Sequence, residues 1–164
     1  PSDVNFKWAK EVNDDFHARF NAHARSYEYK IHHHPVRSSL KTGYYLWEPR
    51  SLNIDDMRKA AAFLVGEHDF SCFRGSMCQA KSPIKTIEYL QIDEIGDDLI
   101  IKVKANAFLH HMVRNLVGTL LKIGREEESP EWMLSVLASK DRKEAGPTAE
   151  PQGLYFVKAH YQNI

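Results

Sequence analysis

Residues 108–123, closed by Gly124, place their apolar side chains on an arc of about 220° when stepped at about 100° per residue. A helix with so wide a stripe must cover more than half of its circumference, so it needs a sheet or other helices against it. The chain supplies both. Residues 25–32 alternate, with Tyr27, Tyr29 and Ile31 on one face and Ser26, Glu28 and Lys30 on the other, the pattern of a pleated, half-buried strand. Residues 85–95 and 99–105 read as two strands joined through Gly96-Asp97-Asp98 as a hairpin. Further strands are expected at 4–8, 18–22 and 154–157, with a short apolar piece at 44–47.

Two more helices complete the set. Asn53 caps the first, Asp55 and Asp56 stand in its positive first turn, and Gly66 ends it. Its buried stripe is Met57, Ala60, Ala61 and Leu64. Ser129 as cap and Pro130 at the first position open the last helix, which buries Met133, Val136 and Leu137. The order β-β-β-α-β-β-α-α-β predicts an α+β fold: a largely antiparallel sheet with helices packed on one face, as one domain over residues 1–164.

Charge narrows the function classes. With 22 basic and 22 acidic residues, the 164-residue chain lacks the basic excess of a free-standing, sequence-tolerant nucleic-acid binder, so any RNA contact must use a local patch. No stretch approaches ~18 consecutive apolar residues, which excludes a membrane helix. Two cysteines, Cys72 and Cys78, are too few for a secreted disulfide scaffold, and the cytoplasm is the expected compartment. Phosphate-loop, dinucleotide, zinc-protease and hydrolase-elbow motifs are absent.

Arg114 falls at the border of the apolar arc, one turn after His110 and beside Gly118, which leaves room for a close approach. A partly desolvated guanidinium there wants an anion; the alternative is a rim arginine that snorkels to solvent or bonds a loop carboxylate. Tyr27 lies among Arg25, Arg19 and His17. Interleaved basic and aromatic side chains suit phosphate binding and base stacking, and a plain core tyrosine fits equally. The loop at 74–83 adds Arg74, Gln79 and Lys81. No metal site is expected. His110 and His111 point about 100° apart on a helix, and His32 and His34 share a strand face without a supporting Asp, Glu or Cys. The triplet His32-His33-His34 reads as a solvated strand end.

Several segments together resemble one family, the bacterial tRNA pseudouridine synthases of type A. Phe16-His17-Ala18-Arg19-Phe20 with Ala24-Arg25-Ser26-Tyr27-Glu28-Tyr29 is similar to its strand element. Asp69-Phe70-Ser71-Cys72-Phe73-Arg74 and Cys78-Gln79-Ala80-Lys81-Ser82-Pro83 resemble its loop motifs. Ala105-Asn106-Ala107-Phe108-Leu109-His110-His111-Met112-Val113-Arg114-Asn115 is similar to its helix motif, and Lys140-Asp141-Arg142 and Gly153-Leu154-Tyr155 to its tail. Two departures stand out. Ala80 occupies a position where the family usually has serine, and no aspartate here has the R-T-D-x-G-V-H context of the family's nucleophile, so the chain looks like the C-terminal half alone.

The resemblance implies an isomerase that converts uridine to pseudouridine at positions 38–40 of the tRNA anticodon arm, without cofactor or metal, as a homodimer. It implies that Arg114 pairs with the nucleophilic aspartate and that Tyr27 packs against the target base. His17, Arg19, Arg25, Arg74, Lys81, His110 and His111 form the expected RNA-facing set. A non-catalytic RNA-binding module of similar architecture is the alternative.

Overall fold

A computed structural model describes residues 3–162. Six strands make one sheet: β1 (Ala22–His33), β2 (Leu46–Glu48), β3 (Gly66–Asp69), β4 (Ile84–Ile95), β5 (Asp98–Ala105) and β6 (Leu154–Tyr161). The order is β2-β1-β5-β4-β3, with β6 also on β1. One edge of β1 is shared: β6 runs antiparallel along Ala22 to Tyr29, and β2 takes Ile31 to His33 in a parallel pairing. The expected hairpin is present, with Ile95 opposite Asp98 and Gly96 in the left-handed region at φ 59° that such a tight turn requires.

Three helices, α1 (Ile54–Ala62), α2 (Met112–Gly124) and α3 (Trp132–Ser139), complete the fold. Tyr29, Ile31, Leu99, Ile101, Val103, Ile87 and Ile92 form one continuous core with Met57, Ala60, Leu116, Leu120 and Ile123. The antiparallel α+β architecture expected from the sequence is the one observed. Asn53 caps α1 by accepting the Asp56 N–H at 3.1 Å. Glu48, almost fully buried, ties β2 to the end of α2 through Arg50 and Arg125; burial acts against its charge, but those hydrogen bonds hold its carboxyl below the ordinary value.

Several expectations need correction. Residues 4–8 form no strand: Phe6 is 91% and Trp8 72% exposed, and their alternation has no partner strand among the described residues to complete a ladder. Residues 18–22 are not a strand either. His17 and Asn21 close a turn there, and β1 starts only at Ala22. Gly66, at φ 103°, opens strand β3 beyond the end of α1 at Ala62 instead of ending that helix. Helix α2 begins at Met112, not at 108, because His111 is left-handed at φ 61°. Glu131, not Ser129, stands at the cap of α3. Finally, the histidine triplet is no solvated end: His32 is 6% exposed, with Nδ1 3.0 Å from Asp98, which also binds Lys41 at 2.6 Å.

Candidate functional site

The segment entering α2 makes the site. Gly75 donates its backbone N–H to the His110 carbonyl at 2.8 Å, and the His110 N–H reaches Cys78 Sγ at 3.3 Å. The loop at 74–80 thereby fixes residues 108–111 in an irregular approach to the helix. Arg74 holds that loop from within, donating to the carbonyls of Cys78 and Ala80 at 2.9 Å each. Burial pushes the Cys78 thiol up, but the backbone N–H groups of His110 and Ala80, with Arg74, bring it below its ordinary value.

The result is a cavity of about 310 Å³ lined by Tyr27, residues 108–114 and Leu154. Tyr27 stands edge-on to Phe108 at 5.0 Å and to Phe156 at 5.4 Å. Burial raises its phenol above the ordinary range, with Arg25 opposing. Among the described residues its hydroxyl has no hydrogen-bond partner, whereas the Tyr29 hydroxyl donates to the Glu150 carbonyl at 2.6 Å.

Arg114 is anchored at one atom only. Its Nε donates to the Ala149 carbonyl at 2.6 Å, and no partner among the described residues takes the terminal nitrogens or forms an ion pair with them. An aromatic wall and a half-committed guanidinium thus share one recess. That arrangement can hold a planar base and one carboxylate. The rings of His110 and His111 stack at 3.8 Å instead of pointing apart, since His111 is not helical. Loss of hydration, followed by the charges of His110, Arg114 and Arg142, lowers the His111 pKa.

A second recess of about 290 Å³ shares Tyr27 and Phe108 with the first and adds Arg19, Phe20, Arg25 and Ala107. Arg25 lines it, yet its guanidinium bonds the carbonyls of Arg19, Ala22 and Asn106. His17 lies in the same turn. Lys81 is exposed on its loop and lines neither recess. The structure therefore gathers Tyr27, His110, His111 and Arg114 at one recess, sets Arg19 and Arg25 at its neighbour, and turns Arg74 inward. Among the described residues no three His, Cys, Asp or Glu side chains are placed to share a metal ion.

One group escaped the sequence reading. Asn115, fully buried, donates to the Phe73 carbonyl at 2.8 Å and accepts from Arg142 at 3.0 Å and Thr148 at 2.7 Å. This network straps residues 146–149 across α2, so the Ala149 carbonyl meets Arg114. Stepped at about 100° per residue from Phe108, Asn115 falls outside the apolar arc, so periodicity does not mark it as buried. Gly118 was the available signal: the close approach it permits is by the Pro147 carbonyl of the chain itself.

The match with known proteins covers most of this architecture. A family model described as tRNA pseudouridine synthase matches residues 60–162, which include α2, the strap and β6. The tRNA pseudouridine synthase A of Herminiimonas arsenicoxydans is 49% identical over 165 residues, covering 98% of this chain and 60% of that protein. Those of Vibrio campbellii and Paraburkholderia xenovorans are each 48% identical over 161 residues, with 98% of this chain and 61% and 60% of theirs covered. The chain thus spans about 60% of the length of these curated relatives. A family match over more than half of the chain settles its kinship: the chain belongs to the tRNA pseudouridine synthases.

Proposed function

We propose that this chain forms one wall of a tRNA pseudouridine synthase active site, acting on uridines of the anticodon arm. The observation that carries the reading is the pair of open valences in one recess: the terminal nitrogens of Arg114 and the face of Tyr27. In the isomerisation the bond from the ribose to uracil N1 breaks, the base turns, and a bond from the ribose to C5 forms; C5 loses its proton and N1 gains one, so substrate and product hold the same atoms. A carboxylate nucleophile from outside this chain would be oriented and kept ionised by the Arg114 fork, which the strap aims through Ala149. Tyr27, braced edge-on by Phe108 and Phe156, packs against the turning base. The proposal includes the cytoplasm as compartment, a homodimer as assembly and no cofactor.

The test is Arg114→Met in a protein that joins this chain to the portion its longer relatives carry. Pseudouridine formation in anticodon-arm RNA should fall by about 10²–10³, the scale of losing one oriented electrostatic group. RNA affinity should change little, because phosphate contacts elsewhere dominate binding. This chain alone should form no pseudouridine. An unchanged rate in the variant would overturn the role of Arg114, and RNA binding without turnover in the joined protein would favour the non-catalytic module.

A further inference from the structure

The turn preceding β1 is built to hold one aromatic ring out of the core. Phe20 is 74% exposed. Its backbone is nevertheless fixed: the His17 carbonyl accepts from the N–H groups of Phe20 and Asn21, and Asn21 Oδ1 accepts from the His17 N–H at 2.6 Å. The His17 ring nitrogen accepts from the N–H groups of Arg19 at 3.1 Å and Phe20 at 3.3 Å. Arg25 clamps the turn to β1 and to Asn106 through three carbonyls. The imidazole of His17 packs 4.3 Å from the Phe20 ring, and the Arg19 guanidinium lies 5.6 Å from its centroid. An apolar ring held in water by so many bonds is preorganised for a contact the fold itself does not use.

We propose that Phe20 and the adjoining recess form a stacking subsite for an unpaired nucleotide neighbouring the one that enters the Tyr27 and Arg114 cavity, with Arg19 at its phosphate. The subsite rests on the function proposed above and adds a second base contact to it. Two observations and one principle favour RNA as occupant. The recess carries two guanidinium groups, and among the described residues no carboxylate lines it. It meets the first cavity at Tyr27 and Phe108, so adjacent nucleotides can occupy the two in sequence. Stacking on an exposed ring is tolerant of base identity, as a loop read mainly by shape requires.

The experiment titrates this chain into an anticodon stem-loop RNA that carries 2-aminopurine in the loop beside the uridine. Stacking on Phe20 should quench the fluorophore on binding. Phe20→Leu keeps apolar bulk and should abolish the quench while weakening affinity about tenfold, the loss of one base–aromatic stack. Phe20→Trp should restore both. Arg19→Gln should weaken affinity and flatten its salt dependence. Full quenching and unchanged affinity in Phe20→Leu would overturn the subsite, as would binding by the unaltered chain without quenching; the ring would then be a seat for polypeptide. If Phe20→Leu melts early, Phe20→Trp decides: a stable variant without quenching also overturns the proposal. Failure of the proposed function reads differently, as Phe20-dependent quenching with no pseudouridine formed by the joined protein. The reverse pattern removes the subsite and leaves that function standing.

Discussion

The two flanks of α2 differ in how completely their polar groups are engaged. On the strap flank, Asn115 meets Phe73, Arg142 and Thr148, and the Thr119 hydroxyl bridges the Asn115 carbonyl and the Gly146 N–H at 2.8 and 2.9 Å. On the cavity flank, Arg114 uses one of its donor nitrogens and Tyr27 leaves its hydroxyl without a partner among the described residues. Asn115 and Thr119 stand on the same few turns of α2 as Arg114. The difference teaches where fold ends and site begins: a saturated network specifies one packing, whereas open donors at a cavity are free for a ligand.

The strap flank should break first and hardest. A Cβ at Gly118 would lie 1.7 Å from the Pro147 carbonyl oxygen, and that obstacle is backbone, which cannot rotate away. Gly118→Ala should cost about 3 kcal/mol or more, read as an early midpoint in urea unfolding. Normal unfolding of that variant would mean that the strap is not held as described. Asn115→Ala comes next. It leaves the Phe73 carbonyl, the Thr148 hydroxyl and the Arg142 guanidinium short of partners, at about 2–3 kcal/mol by thermal unfolding. Since Ala149 positions Arg114, the same variant should slow pseudouridine formation in the joined protein even below its melting range.

These two flanks were unequally legible in the sequence. The cavity flank carries local signals, Arg114 at the edge of a wide apolar arc and Tyr27 in an alternating strand, and the fold brings the two to one recess. The sheet was read from the same periodicity, and β1, β4, β5 and α1 stand close to their expected places. The strap was not legible, because Asn115 and Arg142 are 27 residues apart and only the folded chain brings them together. Strand β3, Gly-Glu-His-Asp, has no alternation to betray it; pairing with β4 makes it a strand. In the opposite direction, the alternation at 4–8 promised a strand that tertiary pairing does not supply. Local rules also misplaced the start of α2. A left-handed His111 follows from the loop bonded to His110, which no window of sequence contains.

The finest form of the contrast lies between two tyrosines two residues apart on β1. Tyr29 is fully buried and its hydroxyl donates to the Glu150 carbonyl, beside the strap. Tyr27 faces the cavity, and its contacts are those of its ring with Phe108 and Phe156. Tyr29→Phe should therefore cost about 1 kcal/mol, the usual net worth of one such hydrogen bond. Tyr27→Phe removes no bond and preserves both edge-on contacts, so it should change stability by less than about 0.5 kcal/mol. Paired thermal unfolding of the two variants checks the order. A loss at Tyr27 as large as at Tyr29 would show that its hydroxyl serves the fold and is not free for a ligand. A neutral Tyr27→Phe leaves the ring as the working surface. Tyr27→Leu, which removes the ring, should then be the variant that impairs RNA binding.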